Sequence, residues 1–252
     1  MDLPPVGFGT MGVDDPAAVT DALAAGYRHL DTAQIYDNEA AVGKGLAAAA
    51  VPREAVTLAT KLWVDGLAAD DVRASTAGSL DRLDVDRVDL LYVHRPRGGY
   101  DSAETLPALA RVREAGLTDA VAVSNFEPDQ LAAAHDYVDV AAHQVEFHPY
   151  YREPGALADA HEHGYPLVAY APLAGGRVLD DPVIREVAGE LDASPAATAL
   201  AWVVSHDGVV AIPKASSPAH RRVNLVAADL SLSAEQRRRI DEIDRETELF
   251  PE

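Results

Sequence analysis

The sequence predicts an α/β fold: a single (β/α)8 TIM barrel that spans residues 1–252 as one domain, with an extra helix near the C-terminus. Eight apolar runs alternate with eight helical patterns. The stretch from residue 5 to residue 228 averages about 28 residues per pair, the size of one strand–helix repeat. The length of 252 residues is close to the ~250 typical of one such barrel. No linker, low-complexity tract or abrupt change in composition divides the chain.

The eight pairs follow one another along the chain. Several strand-like runs are apolar on both faces, as expected for a parallel sheet covered by helices. Pro16 suits the first turn of the first helix, and Ser233 suits the N-cap of the additional helix in SAEQRRRIDEID. The predicted pairs are 6–10 with 16–25, 27–31 with 38–49, 57–61 with 69–83, 88–94 with 103–115, 119–125 with 127–135, 139–146 with 154–163, 166–172 with a helical stretch at 181–205, and 209–213 with 217–228.

Seven of the runs carry a polar residue at their C-terminal end or within two positions of it. Because the carboxyl ends of all strands in such a barrel meet at one face, these residues predict an active site there. Lysine is scarce, with three Lys against 18 Arg, yet two of the lysines end strands. A lysine kept where arginine would otherwise serve indicates a need for a compact ammonium at the site. The alternative is that both lysines are solvated charges at strand ends. The seven residues are Asp31, Lys61, His94, Asn125, Gln144, Tyr170 and Lys214.

The composition excludes several classes of protein. The absence of cysteine rules out disulfide and thiolate-metal scaffolds and favours a reducing compartment, so we expect a cytoplasmic protein. The start MDLPPVGFG lacks a signal-peptide pattern, and no apolar run reaches the ~18 residues of a membrane span. The formal charge of −20 disfavours nucleic acid and anionic lipid as partners. Three explanations of this charge remain open: an ordinary acidic protein, an acidic interaction face, or adaptation to high salt. The acids are dispersed along the chain, which disfavours the interaction face, and the scarcity of lysine favours a halophilic-like acidic surface.

One glycine motif favours a different fold. GFGTMG at 7–12 satisfies G-x-G-x-x-G, and Asp31 follows about 20 residues later, as in a Rossmann dinucleotide site. The preceding segment MDLPPV contains two prolines and is too short for a central strand. The helix begins only after Val13-Asp14-Asp15, so a pyrophosphate would miss its N-terminus. The context therefore disfavours the Rossmann fold.

The strand-end residues lie within recognisable motifs. The most specific is GYRHLDTA at 26–33, which continues through Tyr36 to Glu39 and Gly43. The others are TLATKLW (57–63), DLLYVHRP (89–96), VAVSNF (121–126), HQVEFHPYY (143–151), VAYAPL (168–173) and AIPKASSP (211–218). Together they resemble the aldo-keto reductase family, in particular its prokaryotic diketogulonate and aldehyde reductases. The resemblance covers nearly the whole chain and implies hydride transfer between a nicotinamide dinucleotide and a carbonyl.

The resemblance assigns catalysis to Asp31, Tyr36, Lys61 and His94. Carbonyl reduction needs a proton donor, and tyrosine, with an ordinary pKa of about 10, releases its proton reluctantly. An ammonium at Lys61 would lower the pKa of Tyr36, with Asp31 holding the lysine charged. His94 would polarise or orient the carbonyl. The alternative for Tyr36 is a loop tyrosine packed on its neighbours.

The resemblance also implies the cofactor positions. Ser124, Asn125 and Gln144 would bind the nicotinamide carboxamide, and Tyr170 would stack on its ring, although a strand-end amide is often only a solvated cap. We expect NADP(H) to be preferred, with NAD(H) also accepted, and no metal. The remaining expected contacts are Thr10, Leu173 and Gly175, then Lys214, Ser216, His220 and Asn224 towards the adenosine phosphate, with Met11 and Trp63 in the substrate pocket.

The chain departs from the family pattern in several places. The usual N-terminal hairpin is absent, and Ala171 replaces a common serine. The chain length leaves little for the family's long C-terminal substrate loop, and residues 97–102 form only a short loop after the fourth strand, so we expect an open, permissive pocket. Ala215 and His220 stand where NADP-specific relatives often carry serine and arginine. We expect a monomer that acts on a small carbonyl compound, with neither nucleic acid nor membrane as partner. His143, His161 and His163 are interpreted as structural or solvent-facing.

Two other functions compete with this interpretation. One is a non-catalytic, redox-sensing subunit that binds nicotinamide nucleotides on the same fold; it would have no use for a proton-donating set. The other is a metal-dependent barrel hydrolase. That enzyme would need several His and Asp ligands at strand ends. The residues predicted at the face where the strands end instead include one histidine, one aspartate and two lysines.

Overall fold

Short parallel strands alternate with helices along the chain. The computed structural model describes residues 1–250, to which all structural statements refer. Its strands are β1 (Phe8–Gly9), β2 (His29–Asp31), β3 (Thr57–Leu62), β4 (Val88–Val93), β5 (Thr118–Ser124), β6 (Val140–His148), β7 (Tyr151–Arg152), β8 (Leu167–Tyr170) and β9 (Val209–Ala211). Its helices are α1 (Pro16–Ala25), α2 (Glu39–Ala47), α3 (Ala69–Leu83), α4 (Ser102–Glu114), α5 (Pro128–His135), α6 (Ala156–His163), α7 (Pro182–Glu190), α8 (Pro195–Val204), α9 (Pro218–Val226) and α10 (Ala234–Asp241).

Eight of the strands form a closed parallel barrel, as the sequence predicts. They pair in the order β1-β2-β3-β4-β5-β6-β8-β9, and β7 only forms a short antiparallel hairpin with the end of β6. Parallel bridges from Val6 to Ala211 and from Gly9 to Lys214 join the first and last strands. The backbone N–H of Gly7 donates to the Ala211 carbonyl at 2.8 Å, which completes the closure.

The glycines of GFGTMG have a role in this closure. A Cβ added to Gly9 would lie 2.6 Å from the carbonyl oxygen of Ile212, and one added to Gly7 would lie 2.7 Å from Nδ1 of His29. Real side chains do not approach that closely, so only glycine lets β1 pass this near its neighbours. Barrel closure therefore explains Gly7 and Gly9, whereas Gly12 lies in a turn with a φ of 69°; the Rossmann alternative is excluded.

The core has an outer and an inner layer. The larger apolar cluster fills the space between the strands and the surrounding helices. No hairpin precedes β1 in the described residues; Leu3 is instead only 8% exposed and belongs to the inner cluster. The other buried members of that cluster, inside the barrel, are Ala59, Leu90, Tyr92, Ala122, Ala142, Val168, Val210 and Ile212.

The helical stretch expected at 181–205 is two helices. α7 ends at Glu190, and α8 begins at Pro195 after a turn in which Asp192 adopts a φ of 51°. Proline has no N–H to donate and disfavours helical backbone in the residue before it, so Ser194-Pro195 starts a new helix. The Ser194 side chain accepts the N–H of Ala197 at 3.2 Å and caps α8.

The additional helix α10 begins as predicted. Ser233 is its N-cap and forms a reciprocal capping box with Gln236. Among residues 1–250 no helix combines the length and apolar character needed to cross a bilayer.

Candidate active site

The carboxyl ends of the barrel strands surround a cavity of about 530 Å³. Lys61 lies behind its wall, bonded to Asp31. Three predicted cofactor residues, Ser216, His220 and Asn224, are not among the residues that line it. The predicted site residues in the wall are Thr10, Met11, Asp31, Tyr36, Trp63, His94, Ser124, Asn125, Gln144, Tyr170, Leu173, Gly175 and Lys214.

Asp31 and Lys61 form a buried ion pair at the ends of β2 and β3. The Lys61 side chain is 0% exposed, and its Nζ donates to Asp31 Oδ1 at 2.5 Å and to the Thr32 carbonyl at 2.9 Å. The other Asp31 oxygen accepts Nε2 of Gln144 at 2.8 Å. Burial disfavours the charged ammonium, but Asp31 and Tyr36 outweigh it and raise the pKa of Lys61. Lys61 is therefore charged and desolvated, which excludes a solvated strand-end role.

Tyr36 lies beside this pair in the turn Gln34–Tyr36 that follows β2. Lys61 Nζ is 5.3 Å from the centre of the Tyr36 ring. Burial raises the pKa of Tyr36, and the Lys61 charge, which lowers it, compensates only in part. The sequence reasoning expected Lys61 to lower this pKa; the net direction is upward because the hydroxyl loses water. Tyr36 is thus a protonated phenol with a stabilised ammonium next to it.

His94 completes this group at the end of β4. Its ring packs edge-on against Tyr36, with centroids 5.9 Å apart, and against Trp63 at 5.0 Å. Burial, reinforced by the charges of Lys61 and Arg95, lowers the pKa of His94 to about 2. The imidazole is therefore neutral at physiological pH, and a neutral ring has one N–H to donate and one nitrogen to accept.

Asn125 organises the wall on the β5 side. It adopts a left-handed conformation with a φ of 59°, which few residues other than glycine and asparagine tolerate. Its Nδ2 donates to the His94 carbonyl at 3.0 Å and to Ser124 Oγ at 3.1 Å. The Tyr170 hydroxyl donates to Asn125 Oδ1 at 2.9 Å. Asn125 thus links the aromatic ring at the end of β8 to the backbone that carries His94.

Comparison with known proteins identifies this barrel. A model of the aldo/keto reductase family matches residues 5–245. The chain belongs to that family. It is 36% identical to methylglyoxal reductase DkgB of Escherichia coli O157:H7, across 97% of this chain and 94% of that protein. It is 35% identical to an aldo-keto reductase of Mycolicibacterium vanbaalenii, across 99% of this chain and 91% of that protein.

A solved structure agrees with this assignment. The fold matches an aldo-keto reductase from a Medee basin deep-sea metagenome library with a TM-score of 0.94 and 28% identity, over 100% of this chain and 95% of that one. The family membership makes the protein an oxidoreductase, and the expected resemblance is confirmed.

One part of the wall of the reductase's cavity is formed by Lys214. Lys214 and Ser216 are both exposed, and Lys214 Nζ donates to Ser216 Oγ at 2.8 Å. His220 is exposed in the first turn of α9. Asn224 is instead 2% exposed, buried beside the Tyr27 hydroxyl. The structure therefore brings Lys214 and Ser216 together at the surface and places Asn224 inside the protein.

Arg221 supports this loop from behind. It is 2% exposed and donates to the carbonyls of Ala215 and Ser216 at 3.3 and 3.2 Å and to Asp21 at 3.1 Å. These bonds commit its guanidinium to the protein interior. Arg221 therefore holds the backbone on which Ser216 lies and is not free to bind a phosphate in place of a residue at position 220.

Several residues of the reductase's cavity were missed by sequence reasoning. Ile35 and Arg95 line it, and their position next to Tyr36 and His94 in the chain was an available signal. Leu249 and Phe250 also line it. They follow the last predicted helix in a stretch without periodicity, so no pattern in the sequence indicated them. The bond from Gln144 to Asp31 was missed because strand ends alone do not show which side chains meet.

Three histidines outside the cavity, His135, His161 and His163, contact protein oxygen atoms. His143 is fully buried, and burial lowers its pKa to about 3. His161 contacts the Asp207 carbonyl at 2.8 Å. His135 and His163 lie around Asp159 at the ends of α5 and α6, and their rings stack 3.7 Å apart at 14°. His135 Nε2 lies 3.2 Å and His163 Nδ1 lies 3.4 Å from the Asp159 carboxylate, so both imidazoles contact the same acid.

Proposed function

We propose that the protein reduces small aldehydes or ketones to alcohols, with a reduced nicotinamide dinucleotide as hydride donor and Tyr36 as proton donor. The observation that carries this proposal is the buried Asp31–Lys61 pair beside protonated Tyr36 and neutral His94 in one cavity. A pure binding protein has no use for a desolvated ammonium next to a phenol. The first test is a panel of carbonyl compounds, followed by the absorbance of the reduced nicotinamide.

Lys61 and Asp31 prepare the proton transfer. As the carbonyl oxygen gains negative charge, Tyr36 gives up its proton and becomes a phenolate. The Lys61 ammonium stabilises that phenolate in surroundings where water does not compete. Asp31 keeps the ammonium charged, and the bonds from Gln144 to Asp31 and from Lys61 to the Thr32 carbonyl fix both partners in place. The pair therefore lowers the barrier without itself exchanging the proton.

His94 orients the carbonyl. Since its imidazole is neutral, it offers one N–H donor without placing a second cation beside Lys61. A hydrogen bond from that N–H to the substrate oxygen holds the oxygen close to Tyr36 and polarises the bond that accepts hydride. Trp63 packs on His94 and, with Met11 and Ile35, gives the substrate side an apolar surface.

The two ends of the cavity fit a nicotinamide dinucleotide. Ser124 and Gln144 present hydroxyl and amide groups that suit a carboxamide, and Tyr170 presents a ring. Asn125 donates both N–H groups of its amide within the protein, so it would offer its Oδ1, which already accepts the Tyr170 hydroxyl. Gln144 uses its amide nitrogen on Asp31, so its carbonyl oxygen is the atom it would offer. Lys214 and Ser216 suit an anionic phosphate at the other end. When bound, the cofactor supplies the hydride.

The pH dependence of kcat/KM should be flat from about pH 5 to about pH 9. Tyr36 acts in its protonated form, so activity is lost only as pH rises through a pKa that lies above the ordinary value of about 10. His94 acts as the neutral ring, so it would fail only as pH falls through about 2. Initial rates across this range, with buffer and salt controls, measure the profile. An inflection between about pH 6 and about pH 8 would assign the acid to another group.

We propose that NADPH is preferred over NADH, with weak discrimination. Lys214 and Ser216 can bind a 2′-phosphate, but His220 stands where a guanidinium would bind it in bidentate fashion, and Arg221 is committed to the backbone. Lys214→Gly should reduce the preference, and His220→Arg should increase it, each by about tenfold. The ratio of kcat/KM for the two cofactors measures both effects. Strong rejection of NADH by the wild type, unmoved by either change, would show that the phosphate lies elsewhere.

A further inference from the structure

Glu146 is a buried carboxylate that the proposed chemistry does not use. It is 3% exposed, lies two residues after Gln144 on β6 and pairs in register with Tyr170 on β8. Residues two apart on a strand share a face, so Glu146 lies on the same side of β6 as Gln144, one step further towards the strand end. A buried carboxylate is costly unless N–H donors surround it. The N–H groups that donate to Glu146 therefore indicate its structural role.

Three N–H groups converge on this carboxylate. The backbone N–H of Leu249 donates to Oε1 at 2.8 Å, and that of Phe250 donates to Oε2 at 3.0 Å. His148 Nε2 lies 2.7 Å from Oε1. The Tyr150 N–H donates to Nδ1 of His148, so the imidazole proton is on Nε2 and is donated to Glu146. The carboxylate thus joins β6 to a segment about 100 residues later in the chain.

The segment that Glu146 holds, residues 247–250, lies against the cofactor side of the cavity. The Thr247 N–H donates to the Tyr150 carbonyl at 2.9 Å, which fixes its start. The Phe250 ring packs edge-on against Tyr170, with centroids 5.7 Å apart. Leu249 Cδ1 lies 3.7 Å from the position that a Cβ on Gly175 would take. Tyr170 is the residue proposed above to stack on the nicotinamide ring, and Gly175 is one of the expected cofactor contacts.

We propose that residues 247–250 form a strap over the cofactor cleft and that Glu146 is the positioning residue that keeps the strap closed. Cofactor exchange then requires the bonds from Leu249 and Phe250 to Glu146 to open. Because the strap touches Tyr170 and lies beside Gly175, the rate at which a bound cofactor leaves would follow the stability of these bonds. This inference rests on the proposed function, because it assumes that the cleft binds a nicotinamide dinucleotide.

Glu146→Gln weakens the hydrogen bonds that hold the strap while almost preserving the shape of the side chain. A glutamine has one acceptor oxygen and one NH2 group, so at least one of the three N–H donors must face another donor. We expect the amides of Leu249 and Phe250 to lose protection from hydrogen–deuterium exchange. We also expect NADPH release, measured by stopped-flow fluorescence, to accelerate by about tenfold. The first turnover of enzyme loaded with cofactor should stay within about twofold of wild type, because the strap does not touch the proton donor.

Two further variants separate the possible outcomes. Glu54→Gln makes the same change on an exposed carboxylate at the opposite end of the barrel and should alter neither release nor exchange. Phe250→Ala keeps the backbone bonds but removes the ring from Tyr170, and should accelerate release by a smaller factor with Leu249 still protected. If Glu146→Gln folds poorly, the release rate of Phe250→Ala still tests whether the strap holds the cofactor.

Two results would overturn the strap. Deprotected amides with unchanged NADPH release would show that the segment does not hold the cofactor. Unchanged protection would show that Glu146 does not hold the segment. A wild-type protein that binds no reduced nicotinamide dinucleotide would instead contradict the proposed function, and the exchange experiment would still test the link between Glu146 and residues 247–250.

Discussion

Lys61→Met should reduce kcat by about 10²–10³-fold and lower the free energy of unfolding by about 3 kcal/mol. The rate falls because the phenolate that forms on Tyr36 loses the ammonium that stabilises it. The stability falls because Asp31, 1% exposed, keeps its charge in the barrel without its cation; within residues 1–250 its carboxylate then retains the bond from Gln144 as its one side-chain partner. Steady-state kinetics at saturating cofactor and chemical denaturation measure the two effects.

Two variants control for this result. Lys44→Met makes the same change on an exposed lysine of α2 and should alter neither quantity measurably. Asp31→Asn combined with Lys61→Met removes both charges; it should regain much of the lost stability while the rate stays low. A single Lys61→Met variant within about twofold of the wild-type rate would remove Lys61 from the proton-transfer step.

The fold could be predicted from the sequence because its signals repeat. Eight apolar runs at regular spacing leave few arrangements other than a closed parallel barrel, and local signals such as Ser233 mark where helices start. The division of 181–205 into α7 and α8 was predictable in principle, since Ser194-Pro195 is a helix start.

The site was predictable only in part, because strand ends show where residues converge and not which atoms meet. Asp31, Lys61 and His94 share a mouth by topology alone. The bond from Gln144 to Asp31 and the commitment of Arg221 to backbone carbonyls depend on side-chain geometry. The upward shift in the pKa of Tyr36 depends on how much water the walls exclude.

The C-terminal strap shows a second limit. Leu249 and Phe250 belong to the cavity through two backbone N–H groups and one ring contact. Every residue except proline has the same backbone N–H donor, so neither composition nor periodicity could predict that these two residues bind Glu146. What the sequence does contain is Glu146, an acid inside an apolar strand, whose partner could not be located without the fold.

Tyr36→Phe should slow the chemical step more than Lys61→Met does. The substitution keeps the ring that packs against His94 and removes only the hydroxyl that donates the proton. General acid catalysis contributes about 10²–10⁴-fold, so we expect a loss in that range. Cofactor affinity should stay within about threefold, because the residues proposed to bind the cofactor are untouched. Tyr137→Phe, on a tyrosine 43% exposed, is the matched control and should behave as wild type.

The central claim, that Tyr36 protonates a carbonyl as it receives hydride in this cavity, is tested most directly by single-turnover kinetics. Enzyme loaded with NADPH is mixed with the best substrate from the carbonyl panel, and the loss of nicotinamide absorbance is followed for wild type, Tyr36→Phe and Tyr137→Phe. The account predicts rapid oxidation in wild type and Tyr137→Phe, and oxidation slowed by about 100-fold or more in Tyr36→Phe at equal cofactor occupancy. Retention of more than about half the wild-type rate by Tyr36→Phe would contradict it.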